Sequence, residues 1–170
     1  LTNPLGYGKI RHNQRRIRMI YIEATGGLKK DRELAEDVMW VCMDILMPRM
    51  RTLCIDLEFT KTLEDGTMGF AYMGEDEKDL IVQIDHRLGR IEGRNKLIET
   101  ICHEMIHVWQ MATGRLKDKF VGGYKQLWKC KDGKYRNYNK TSYDRQPWET
   151  QAYALEGKLA ELYEIMKEKG

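Results

Sequence analysis

At 170 residues the chain is long enough for one domain, and a domain of that size buries roughly 70% of its unfolded surface, so it needs no disulfide staple. Hydrophobic residues make up 42% and charged residues 32%, the balance of a soluble globular protein, and no apolar run approaches the roughly 20 residues of a membrane helix. A net charge of +3 names no partner by itself, although Lys9, Arg11, Arg15, Arg16 and Arg18 crowd one short stretch of a basic N-terminal segment, 1–27.

The start of the chain lacks the basic–apolar–small order of a secretory signal. Cys42, Cys54, Cys102 and Cys130 form no C-x-x-C pair and read as reduced thiols of a cytoplasmic protein. Arg15 to Ala24 mixes β-branched and aromatic positions, and a helix is favoured there; Thr25-Gly26-Gly27 then breaks the chain. Asp31 is the expected N-cap of an amphipathic helix with Leu34, Val38, Val41 and Ile45 on one stripe, ended with the help of Pro48.

Three runs then read as strands: Thr52 to Thr60, Met68 to Met73 and Leu80 to Asp85. The Gly- and Asp-containing breaks between them predict an antiparallel meander or hairpin series. A second helix is predicted from about Arg94 to Ala112 with Gly114 as its C′ residue, followed by a long polar loop, 115–142. Pro147 is the expected N1 residue of a last helix running to about Glu168. The order predicts an α+β fold in a single domain, 1–170.

The chemistry concentrates in His103-Glu104-Met105-Ile106-His107. On a helix turning about 100° per residue, His103 and His107 lie only about 40° apart and one turn along the axis. Leu97, Ile101, Met105, Val108 and Ala112 fall about 120–200° away, so the helix packs with one side and presents both imidazoles with the other. Glu104 lies about 100° round, at the flank of a shared ion, where a carboxylate could take a proton from zinc-bound water. Two histidines on an exposed helix face would be the bland alternative, but the apolar opposite face is the context the motif requires.

A catalytic zinc takes three protein ligands and leaves one position open. No histidine comes after His107, and Glu149 ranks first for the third place, with Glu156, Asp144, Cys130 and His86 as alternatives. On the last helix Glu149, Ala152, Tyr153 and Glu156 share a face, so that Tyr153 could bring a phenol to an oxyanion. The competing reading of Glu149 is an acidic residue placed at N3 for the helix dipole alone, and of Tyr153 a core aromatic.

Cys102 to Gln110, together with Pro147-Trp148-Glu149 and Ala152-Tyr153, resembles the SprT-like zinc metallopeptidases, particularly short phage-encoded members. A glutamate as third ligand is similar to the minimal gluzincins. The resemblance covers roughly Leu80 to Leu162 and implies a zincin-like fold: a small, mostly antiparallel twisted sheet over the active-site helix, with a protein or peptide substrate extended along an edge strand. Cellular SprT-like proteins typically carry a third histidine and often a four-cysteine zinc ribbon, and this chain has neither.

The expected function is therefore peptide hydrolysis at one Zn2+, with no membrane partner. Two others compete. One is a nucleic-acid-associated protein with a structural zinc, suggested by Lys9 to Arg18 and by Lys125, Lys129, Lys131, Lys134, Arg136 and Lys140 interleaved with Tyr124, Trp128, Tyr135 and Tyr138. The other is a regulatory peptidase in which 115–142 forms a lid hinged at Gly122-Gly123.

Overall fold

The computed structural model describes residues 18–119 and 122–170. Strand β1 (Met19–Gly26) leads to helix α1 (Lys29–Leu46), and strands β2 (Thr52–Thr60), β3 (Gly69–Met73) and β4 (Asp79–Asp85) come after it. A short helix α2 (Leu88–Ile91) and the long helix α3 (Arg94–Ala112) come next, then strands β5 (Leu116–Lys119), β6 (Lys125–Lys129) and β7 (Tyr135–Asn137). A 3-10 turn (Tyr143–Arg145) feeds helix α4 (Pro147–Lys169). The fold is α+β, as expected, and no helix of the described residues is long and apolar enough to cross a membrane.

The main sheet has the order β1-β2-β4-β3. It is mixed and not mostly antiparallel: β1 pairs parallel with β2, β2 parallel with β4, and only β3 runs antiparallel to β4. The alternation in β2 places Leu53, Ile55, Leu57 and Phe59 inward, and β4 answers with Leu80, Val82 and Ile84. The meander expectation failed because β3 does not lie between its sequence neighbours. It swings to the outer edge, and β4 returns into the space beside β2.

The first segment is a strand and not a helix. Ile20, Ile22 and Ala24 alternate with exposed Met19, Tyr21 and Glu23, a period of two that becomes stable once β2 supplies the ladder, with Tyr21 opposite Cys54. Positions 15–17 of that expected helix, His12, and Lys9 to Arg16 of the basic cluster lie outside the described residues. Arg18 is described and pairs with Asp44 of α1 at 2.8 Å.

Helix α1 is capped by Leu28, not Asp31, which sits in the first turn with its own amide bonded to the Leu28 carbonyl. There its charge still suits the positive end of the helix. The buried stripe is Ala35, Val38, Met39, Cys42 and Met43, while Leu34, Val41 and Ile45 are half-buried at its margin. Helices α1 and α3 cover one face of the sheet, and α4 packs along α3.

Helix α3 ends as its sequence predicts. Gly114 adopts φ +73°, its amide bonds the Met111 carbonyl, and the Arg115 amide bonds the Gln110 carbonyl, the two bonds of a Schellman motif. The next stretch is not the expected loop. Strands β5, β6 and β7 form a second, three-stranded antiparallel sheet in that order, capped onto the body through buried Leu116 and by Trp128 and Tyr138, which contact Trp148 at ring distances of 6.4 and 6.2 Å. Gly122 and Gly123, the expected hinge, lie in the connection between the paired strands β5 and β6.

At its far end α4 is tied to α1. The Tyr163 hydroxyl donates to Asp37 Oδ2 at 2.7 Å, and Lys167 holds Oδ1 at 2.8 Å. Burial works against the Asp37 charge, but these two donors outweigh it and hold its carboxyl below the usual range. The contribution is therefore present at neutral pH and lost as pH falls through that lowered value. Tyr163→Phe is expected to cost about 1 kcal/mol in chemical unfolding, since the ring stays packed and only the hydroxyl is lost.

Candidate metal centre

Leu97, Ile101, Met105 and Val108 are fully buried, and the opposite side of α3 carries His103, Glu104 and His107, as the helical spacing predicts. That side is not exposed either. Strand β3 and α4 close over it, leaving His103 and His107 each 7% accessible and Glu104 4%. Between these elements lies a cavity of about 670 Å3.

Both histidines turn Nε2 toward one point, 3.1 Å apart. Glu149, in the first turn of α4, completes the group: its Oε2 stands 3.2 Å from His103 Nε2 and its Oε1 3.3 Å from His107 Nε2. Behind the rings, His103 Nδ1 lies 2.6 Å from Glu156 Oε2 and His107 Nδ1 2.8 Å from Gln110 Oε1. The Gln110 amide nitrogen donates to the Trp148 carbonyl and to Gln151 Oε1, which fixes its oxygen as the atom facing His107.

Each Nδ1 thus has an acceptor behind it, which leaves both Nε2 atoms directed at the Glu149 carboxylate. Two ring nitrogens and a carboxylate crowd one point, an arrangement that a shared positive charge, proton or metal ion, holds together. Around a tetrahedral ion with bonds of about 2.0–2.1 Å, donor atoms stand about 3.3 Å apart. The observed spacings fit, and the three residues form a buried group able to hold a metal ion.

The electrostatics agree. Burial pushes the Glu149 carboxyl up, but hydrogen bonds from His103, His107 and Tyr143 pull it down to about 2. Burial likewise disfavours a charged His103, yet Glu149, Glu104 and Glu156 together raise it to about 9. Both shifts record a site that attracts positive charge, which a proton or a metal ion can supply. Glu104 moves the other way from Glu149: burial lifts it to about 7 against the pull of both histidines.

Glu104 sits beside the group without entering it. A Cβ at Gly69 of β3 would lie 2.7 Å from Glu104 Oε1 and 3.0 Å from its Cγ, so the strand passes the carboxylate where there is room only for hydrogen. Tyr153 stands at the mouth, 56% exposed, its ring 4.8 Å from that of His103.

Among the expected residues, then, His103, His107 and Glu149 converge, Glu104 flanks them and Tyr153 borders the cavity. Glu156 is no ligand; it stands behind His103. Asp144 and His86 do not line the cavity, and Cys130 lies against Trp128 and Tyr138 instead. Among the described residues no other group of three His, Cys, Asp or Glu converges in this way.

Three residues of the site were missed from the sequence. Gln110, three positions after His107, carried a spacing signal, since residues three apart share a helix face. Tyr143, whose hydroxyl helps to hold the Glu149 carboxyl down, and Gly69 carried none.

The stacking platform expected among the lysines is partly spoken for. Trp128 and Tyr138 pack inward on Trp148, and Arg136 is paired with Asp132 at 2.6 Å. Lys117, Lys119, Lys125 and Lys129 share the outward face of the small sheet, Lys117 lying 5.0 Å over the Tyr135 ring.

Compared with known proteins, the chain matches no family model, no curated protein and no solved structure.

Proposed function

We propose that this chain is a zinc-dependent metallopeptidase. The observation that carries the reading is the meeting of two Nε2 atoms and a carboxylate at 3.1–3.3 Å, with Glu104, the neighbour of His103 in sequence, buried in the same cavity. Three protein donors beside an open cavity match a catalytic zinc site, whereas a structural site is closed by four. Zinc and the SprT-like or gluzincin kinship are part of the proposal, motivated by the His-Glu-x-x-His motif and the glutamate in third place.

His103, His107 and Glu149 would hold the ion, which supplies a Lewis acid and a water of lowered pKa. Glu104 would take one proton of the attacking water as its oxygen bonds to the carbonyl carbon. It would then pass that proton to the leaving nitrogen as the C–N bond breaks, giving a carboxylic acid and an amine, and the acid's remaining proton moves to the amine to leave a carboxylate and an ammonium. Tyr153 and Tyr143, both lining the cavity, would donate hydrogen bonds to the oxyanion. Among the described residues the outer edge of β3 has no partner strand, and Gly69 and Ala71 line the cavity, so an extended peptide could add as a further strand beside Glu104.

Two measurements together test the reading. Metal analysis of the purified chain is expected to give one zinc per molecule. Cleavage of an unfolded protein is expected to stop with a chelator and return with zinc. A metal-free chain after growth in zinc-rich medium, or cleavage indifferent to the chelator, contradicts it.

Gly69→Ala is expected to retain zinc yet lose about tenfold or more in turnover, because the new methyl displaces the carboxylate by a distance that matters for proton transfer. Unchanged turnover would remove the strand's claimed role in seating Glu104.

The second reading, a nucleic-acid-associated protein, is favoured by the four outward lysines alone. It predicts an affinity for single-stranded or duplex DNA that falls steeply with salt. It is compatible with hydrolysis, since a peptidase can meet its substrate on DNA.

A further inference from the structure

We infer that Glu156 and Gln110 are positioning residues, each locking one metal-binding imidazole from behind, and that α4 controls both locks. The inference rests on the proposal that His103, His107 and Glu149 bind a metal ion. Its starting point is that His103 and His107 sit on one helix but have different supports: a carboxylate for the first, a neutral amide for the second.

Glu156 lies two turns beyond Glu149 on α4, and its Oε2 is 2.6 Å from His103 Nδ1. The same helix thus reaches His103 from both sides, with Glu149 at Nε2 and Glu156 at Nδ1. A carboxylate accepting the Nδ1 proton fixes the tautomer, holds the ring in its plane and makes Nε2 a stronger donor.

Gln110 is fully buried on α3, and what aims it is again α4. Its amide group donates to the Trp148 carbonyl and to Gln151, leaving its oxygen no direction except toward His107. Apart from the two imidazoles, Gln110 itself and Tyr143 beside Glu149, the groups described here that bind, back or orient a donor come from residues 148–156. Docking of α4 on α3 therefore adds the third ligand and sets both rings in one event.

The test uses the full chain with zinc, by competition against a chelator, together with NMR of the imidazole protons. Glu156→Leu is expected to weaken zinc binding about 10–100-fold, and Gln110→Leu by a similar factor, while Glu156→Gln, which keeps an acceptor oxygen, recovers most of the loss. In the zinc-loaded wild-type chain both rings are expected to show Nε2 bound to the metal and a slowly exchanging proton on Nδ1. Glu156→Leu removes the His103 signal and leaves that of His107; Gln110→Leu does the reverse.

Zinc affinity unchanged in Glu156→Leu, or coordination through Nδ1 in the wild-type chain, overturns the inference and leaves the metal site standing. A wild-type chain that takes up no zinc overturns the metal reading itself. Should a leucine variant fail to fold, the wild-type resonances and Glu156→Gln still decide.

Discussion

Glu104→Gln is expected to bind zinc as the wild-type chain does and to lose about 10²–10⁴-fold in peptide hydrolysis, the usual worth of a general base. The change is nearly isosteric, which matters at a position only 4% accessible and pressed against Gly69. An amide occupies the same space without forcing β3 outward, but it cannot accept a proton from water. Glu104 makes none of the three close approaches at the centre, so the ion has no reason to leave. Retention of zinc measured beside loss of turnover separates chemistry from assembly. A variant that hydrolyses at the wild-type rate would mean that another group takes the proton, and Glu104 would lose its role as base.

Glu149→Ala attacks assembly instead. Its carboxylate bridges both rings at 3.2 and 3.3 Å, so its loss removes the sole anionic donor and leaves two neutral ones. The expected fall in zinc affinity exceeds the roughly 100-fold upper figure for losing an outer support. Thermal melting gives a second readout. Zinc at about 100 times its dissociation constant stabilises a protein by about 2.7 kcal/mol, so the wild-type melting temperature should rise with zinc and that of the variant should not. Because Glu149 also lies in the first turn of α4, the metal-free variant loses a further 0.3–1 kcal/mol or so of helix-dipole stabilisation. An equal response to zinc in both proteins would remove Glu149 from the centre.

The parts of the fold legible in the sequence are those in which one element's own periodicity decides its environment. Helix α3 declares itself through Leu97, Ile101, Met105 and Val108, and β2 through Leu53, Ile55, Leu57 and Phe59. Strand β1 does not, because its Ile20 and Ile22 suit either state until β2 pairs with it from thirty residues or so away. The small sheet escaped for another reason. Its strands are three to five residues long and rich in lysine, and only Leu116 and Trp128 hint at an inner side. Asp132-Gly133 was an available hairpin signal, since the Cys130 amide bonds the Lys134 carbonyl across that turn.

The site divides in the same way. His103, Glu104 and His107 emerge from spacing within one helix. Glu149 needed only the assumption that α4 lies beside α3. Whether Glu156 would bind the ion or back a histidine depends on how far α4 slides along its neighbour, a packing outcome that no local pattern encodes.

The order of the donors along the chain has a consequence for biosynthesis. A ribosome adds about 5–20 residues per second, so both imidazoles emerge seconds before Glu149 and the helix that carries it. Until then the growing polypeptide offers the two histidines without the carboxylate that bridges them. A newly made molecule thus has no complete three-donor group until α4 has been synthesised and has docked on α3.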